Sequence, residues 1–180
     1  MAMLGEGKPR AMVGLRSAPP PPATALQQWV LADYADLRLL RAALRRTLDA
    51  ENLLPGKEVE DLAHRMTVVA TELATNALSH ARSPATVRLS RTRKALVLDV
   101  ADGALSAPPE VLRARPLGAG GRGLQIVQEM ATDSGWYTTN HAKHVWAEFG
   151  IPRRGRRFAT PRISVFDLET FIRLLRRTGS

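Results

Sequence analysis

The 180-residue chain contains no cysteine, which excludes disulfides and cysteine-ligated zinc. No apolar run approaches the roughly 18 residues that a membrane-spanning helix needs. The first residues lack the basic, apolar and small-residue order of a signal peptide, so a cytoplasmic protein is expected. The four histidines, His64, His80, His141 and His144, show no H-E-x-x-H or comparable metal spacing. No G-x-x-x-x-G-K-[ST] string occurs, which excludes a P-loop, and no internal repeat is present. What remains fits one ordinary domain with tails, and is too short for two well-packed ones.

Charge is unevenly placed. The formal net charge is +9, yet residues 25–151 hold 15 basic and 14 acidic side chains and are almost neutral. Eight arginines against Asp167 and Glu169 make residues 152–180 the main basic segment. Nucleic-acid binding by the whole chain is disfavoured by this distribution. An arginine run such as Arg153-Arg154-Gly155-Arg156-Arg157 is usually a solvated segment, with nucleic acid or an acidic surface as the alternative ligand.

The pattern divides the chain into three parts. Residues 1–24, with Pro19-Pro20-Pro21-Pro22 and no periodicity, read as a disordered arm. Residues 25–151 carry the periodic elements. Residues 152–180 form the arginine-rich tail, in which Phe166, Phe171, Leu174 and Leu175 give Val165–Thr178 a short amphipathic pattern. Within the central part, Leu26–Leu31 suits a strand, and Asp33 or Asp36 can cap the helix after it. That helix repeats Leu37, Leu40, Ala43 or Leu44, and Leu48. A second helix is predicted from about Glu58 to His80 with the stripe Leu62, Met66, Val69, Leu73 and Ala77, ending before Ser83-Pro84. Strands at Thr86–Arg91 and Leu96–Ala101 follow, joined by the basic turn Thr92-Arg93-Lys94. A long Gly-, Pro- and Ala-rich loop spans 102–121, a length more typical of lids and binding loops than of connectors. A helix at Gly123–Ala131 and a hairpin of Trp136–Thr139 with His144–Phe149 complete the order β-α-α-β-β-loop-α-β-β. The expected class is α+β, a two-layer sandwich with helices on one side of a mixed, mostly antiparallel sheet.

Three polar features interrupt these apolar patterns. Glu72 and Asn76 are spaced i, i+4 on the second helix and project from one face. A carboxylate beside a carboxamide suits a magnesium-nucleotide site, the amide oxygen ligating metal and the carboxylate handling a proton. In isolation such a pair is more often the polar edge of an amphipathic helix. Asp102-Gly103 stands where an apolar strand ends. Its carboxylate can accept a hydrogen bond from an exocyclic amine such as adenine N6, although Asp-Gly is also a common turn pair. Gly118-Ala119-Gly120-Gly121-Arg122-Gly123 then leads into a helix. Glycines permit close backbone approach, and the helix N-terminus adds free N–H groups and a positive dipole end, a combination suited to phosphate. The string also matches G-x-G-x-x-G, but a dinucleotide fingerprint should follow a strand directly, and this one follows a Pro-rich loop. A merely flexible loop is the remaining alternative.

The order of these features resembles the GHKL ATPase superfamily, whose Bergerat fold is shared by gyrase B, histidine kinases and mismatch-repair ATPases. Glu72-Leu73-Ala74-Thr75-Asn76-Ala77 matches the N-box, Asp102-Gly103 the first glycine box, and Gly118–Leu124 the second. The strings ELATNALSHA, GGRGLQIV and VWAEF look very like the stand-alone anti-sigma factor serine kinases of actinobacteria and bacilli. The resemblance covers residues 25–151. It implies that Asn76 ligates Mg²⁺ on the ATP phosphates and that Glu72 is the base or orienting group for the attacking hydroxyl. It implies that Asp102, with Gly103, binds the adenine amine. Gly118, Gly120, Gly121 and Gly123 would form the phosphate lid, with Arg122 available for phosphate charge and Leu124 closing the motif. His80 would stand at the phosphate end or pack at the helix end. Arg38, Arg41 and Arg45 lie on a helix that such kinases use for partner or dimer contacts, a solvated face being the plainer reading. The implied function is an anti-sigma regulatory factor that phosphorylates a serine or threonine of an anti-anti-sigma factor and also binds a sigma factor, with a homodimer and no membrane. A non-catalytic, nucleotide-gated interaction module of the same fold is the alternative. Two positions depart from the pattern: Ala104 replaces the usual Gly or Ser two residues after Asp102, and His144 stands where a threonine commonly supports the adenine end.

Overall fold

The structure is a computed structural model that describes residues 15–51, 56–80, 84–104 and 123–152. Gly118, Gly120, Gly121, Arg122 and the tail 153–180 lie outside the described residues. Nine elements follow in chain order: β1 (Arg16–Ser17), β2 (Thr24–Leu31), α1 (Asp36–Ala50), α2 (Lys57–His80), β3 (Ala85–Arg91), β4 (Ala95–Asp102), α3 (Gly123–Met130), β5 (Asp133–Thr138) and β6 (Lys143–Gly150). Six strands form one sheet in the order β1-β5-β6-β4-β3-β2. Every pairing is antiparallel except β1 with β5. The class is the expected α+β sandwich of the Bergerat type.

Local chemistry accounts for the elements. Asp33 Oδ1 accepts the Ala35 N–H at 2.7 Å, and Asp36 Oδ2 accepts that of Ala32 at 2.7 Å, so both aspartates organise the entry to α1. Leu37, Leu40, Leu44 and Leu48 are the buried stripe of α1. In α2 the predicted Leu62, Met66, Val69, Leu73 and Ala77 are all buried. Each such leucine contributes roughly 1.5–3 kcal/mol on burial. The Thr92 hydroxyl accepts the N–H groups of Lys94 and Ala95 at 3.1 and 2.9 Å, closing the turn between β3 and β4.

Alternation then assigns the two sheet faces. Ala85, Val87 and Leu89 of β3, Leu96, Leu98 and Val100 of β4, and Val145, Ala147 and Phe149 of β6 share one core with α1, α2 and α3. By the same period, Asp102 and Lys143 fall on the helix side, whereas Asp99, His144 and Trp146 fall on the far side. Arg65 ties the helices together by donating from Nη1 to the Met130 carbonyl at 2.9 Å.

One segment departs from the sequence reading. Residues 1–24 read as a structureless arm, yet Arg16–Ser17 form a parallel strand beside Gly135 and Trp136. The buried Trp146 indole donates to the Ala18 carbonyl at 2.7 Å, and the Arg16 guanidinium lies 5.2 Å from the centre of its ring. Gly135 allows this approach, because a β-carbon there would lie 2.8 Å from the Arg16 carbonyl oxygen. A two-residue strand has no periodicity of its own, so only the partner surface reveals it.

Candidate functional site

The acid and amide of α2 meet the first residue of α3. A β-carbon added to Gly123 would lie 2.7 Å from Glu72 Oε2, 3.0 Å from Asn76 Nδ2 and 3.7 Å from Asn76 Oδ1. A larger residue there would displace the ends of the Glu72 and Asn76 side chains, so glycine lets the start of α3 lie directly against them. The i, i+4 spacing sets both groups on one side of α2, and the packing of α3 against α2 brings its N-terminus to them. The N–H groups that open a helix have no intrahelical acceptor and carry the positive end of its dipole. The three features thus supply a proton acceptor, an oxygen ligand and a set of anion donors in one place.

Burial raises the pKa of Glu72 from 4.5 to about 6. Desolvation alone is the cause, because ionising a carboxyl away from water is costly. A carboxylate tuned upward toward neutrality is a better proton acceptor at physiological pH than an exposed one. Thr71, beside it, is buried and donates its hydroxyl to the Thr67 carbonyl at 2.8 Å, so its side chain serves the helix.

Asp102 ends β4 on the helix side of the sheet and is 6 % exposed. Its Oδ1 accepts the Ala104 N–H at 2.8 Å, and its Oδ2 lies 3.4 Å from Lys143 Nζ. Lys143 is the residue directly opposite Asp102 in the β4–β6 register. The sequence reading put His144 at this end of the pocket, and the structure corrects it. His144 faces the opposite side, where Nδ1 meets Asp99 Oδ1 at 2.8 Å and the ring stacks on Tyr137 with centroids 4.4 Å apart. Tyr137 donates to Asp99 Oδ2 at 2.7 Å. Its phenol is pushed well above the usual range by burial first, then by the bond to Asp99 and that carboxylate's charge, with Arg88 opposing. Lys143 was missed because the alternation of Val145, Ala147 and Phe149 was not carried one step back along β6. That period places a lysine, not the histidine, on the inward face.

The remaining site residues are quickly placed. Gly103 is exposed and Leu124 is buried. His80 ends α2. Arg38 and Arg45 are exposed on α1, and Arg45 Nε lies 3.6 Å from Asp49 in an i, i+4 pair. No group of three or more His, Cys, Asp or Glu side chains suited to a metal occurs among the described residues. None of their helices is long and apolar enough to cross a membrane.

Residues 30–149 match the family model of the histidine kinase-like ATPase domain. The chain belongs to the histidine kinase-like ATPase family. Nucleotide binding is the coarse function that membership carries, and the Glu72–Asn76–Gly123 cluster lies within the matched residues. Among solved structures, the chain is similar to one in the SiaB–SiaC complex from Pseudomonas aeruginosa, with a TM-score of 0.51 and 16 % identity. That likeness, which concerns the fold, covers 71 % of this chain and 90 % of the other. No curated protein matches the sequence.

Proposed function

We propose that this protein is an ATP- and magnesium-dependent serine/threonine kinase that regulates a sigma factor by phosphorylating an anti-anti-sigma factor. The observation that carries the reading is the convergence of Glu72, Asn76 and the N-terminus of α3 at Gly123. In the transfer, the substrate hydroxyl oxygen forms a bond to the γ-phosphorus while the bond from that phosphorus to the β,γ-bridging oxygen breaks. ADP leaves with the bonding pair, and the Glu72 carboxylate takes the hydroxyl proton. Phosphoryl transfer depends mainly on positioning and electrostatics, so this small set of groups suffices. Asp102 accepts from the base amine, and the N–H groups at Gly123 and Leu124 face the phosphates.

The residues fit a magnesium ion of the kind that keeps most of its water and phosphate ligands. Asn76 offers a single neutral oxygen beside one carboxylate, and the described residues hold no all-protein cage. Asn76 would hold the ion, which supplies charge neutralisation on the phosphates. Residues 25–151, extended by the strand at Arg16–Ser17 that joins their sheet, constitute the kinase domain in this reading, with Gly118, Gly120, Gly121 and Arg122 for the phosphates and 152–180 outside it. The similarity to a chain solved within a two-protein complex supports a protein partner. A cytoplasmic location belongs to the same reading, because a sigma factor and its regulators act on transcription there.

The test is transfer of labelled γ-phosphate from Mg-ATP to a cognate anti-anti-sigma domain by the full chain. Glu72→Ala should lose transfer and keep nucleotide binding, and Asn76→Ala should lose the magnesium-dependent part of ATP affinity. Normal transfer by the Glu72 variant removes the assigned role. Tight ATP binding with no transfer to any candidate domain selects the non-catalytic, nucleotide-gated module instead.

A further inference from the structure

The pairing of Asp102 with a buried lysine has a consequence for the nucleobase. Lys143 is 8 % exposed, on the helix side of the sheet and directly across from Asp102. Among the described residues Asp102 is its only polar partner. Charge-assisted N–H···O contacts close to about 2.7–2.9 Å, so at 3.4 Å the ammonium stands off from Oδ2. A lysine has three protons to donate, and among the described residues this ammonium faces one carboxylate oxygen. The carboxylate is meanwhile held in orientation through Oδ1 by the Ala104 N–H. The pair therefore offers a fixed acceptor beside an under-used donor at the rim of the β4–β6 strand pair.

We propose that Lys143 reads the base together with Asp102. The carboxylate accepts from an exocyclic amine while the ammonium donates to the ring nitrogen next to it. This combination is matched by the 6-amino group and N1 of adenine. A 6-oxopurine presents a carbonyl and an N–H in the reverse order, which sets oxygen against carboxylate and N–H against ammonium. Tethering of the triphosphate near Gly123 prevents the base from sliding to exchange the two contacts. Lys143 is thus a specificity-determining residue, supplying by direct donation the second half of an aminopurine code.

The inference rests on the nucleotide-site reading above, and its test separates the two. Affinities of the full chain for Mg-ATP, Mg-ITP and the 1-deaza analogue of ATP, whose N1 is replaced by C–H, are measured by calorimetry. The parent should bind ATP about tenfold or more tighter than either analogue, as expected for one hydrogen bond to a charged group. In Lys143→Met the preference for ATP over the 1-deaza analogue should collapse to within about twofold. Should that variant fold poorly, Lys143→Gln, which keeps a donor, should retain part of the preference. A lysine that merely neutralises Asp102 would lower affinity for both nucleotides equally and leave their ratio unchanged, which overturns the proposal. Tighter binding of ITP by the parent overturns it as well. If ATP binds and only the ratio fails to respond, the nucleotide-site reading survives. If the parent binds none of the three nucleotides, both fall.

Discussion

Glu72→Gln tests the electrostatics of the site through the stability of the fold. Burial raises this carboxyl from 4.5 to about 6 in the folded protein. Well below pH 4.5 it is protonated in both folded and unfolded chains, and the fold bears no penalty. As the pH rises toward 6, the unfolded chain has already ionised the group, while the folded protein still holds the proton. Between those limits folding takes up a proton, so stability falls with rising pH. Above about pH 7 the full difference applies, about 2 kcal/mol, because each tenfold change in proton affinity is worth about 1.36 kcal/mol. Glutamine has nearly the same shape and cannot ionise. Urea denaturation of both proteins, without nucleotide or magnesium, should show equal stability at about pH 3, where the carboxyl is protonated in both states. Near pH 8 the variant should be the more stable by about 2 kcal/mol. The other carboxylates act alike in both proteins and cancel in the difference. A stability difference that does not change with pH, or a variant less stable at pH 8, refutes the reasoning.

Three further outcomes follow from the packing. Gly123→Ala brings a β-carbon to 2.7 Å from Glu72 Oε2 and 3.0 Å from Asn76 Nδ2. Both are flexible side-chain ends, so the melting temperature should change by only a few degrees while nucleotide affinity falls about tenfold or more; unchanged affinity in calorimetry would remove Gly123 from the site. Gly135→Ala instead meets the Arg16 backbone carbonyl at 2.8 Å and two Trp146 ring atoms at 2.9 Å. It should cost about 1–3 kcal/mol in urea denaturation and speed amide exchange at Arg16–Ala18, and a neutral substitution would contradict the β1–β5 pairing. Tyr137→Phe removes the bond to the Asp99 carboxylate and should cost about 1.5–3 kcal/mol by the same measurement. A loss below about 0.5 kcal/mol would show that water replaces the phenol there.

Much of the architecture was legible because apolar periodicity carries it. The leucines of α1, the stripe of α2 and the alternation in β3 depend on local spacing, and they appear at the expected positions. The Glu72–Asn76 pair was legible for the same reason, since i, i+4 geometry belongs to one helix. Two features were not. The strand at Arg16–Ser17 exists because Trp146 and Gly135 present a surface to it. The inward face of Lys143 follows from the alternation in β6, but its place directly across from Asp102 depends on the β4–β6 register, which pairs residues far apart in the chain.

By itself, then, the sequence determined the order of the elements from β2 onward, the core-facing stripes and the chemical types available for a nucleotide site. Only the tertiary structure decided which of those types meet. It set the first residue of α3 against Glu72 and Asn76, withdrew one carboxyl from water far enough to raise its pKa, and put an ammonium beside Asp102. Spacing along a chain fixes which face a side chain occupies, but contact between faces, and the desolvation that comes with it, arises only when separate elements pack.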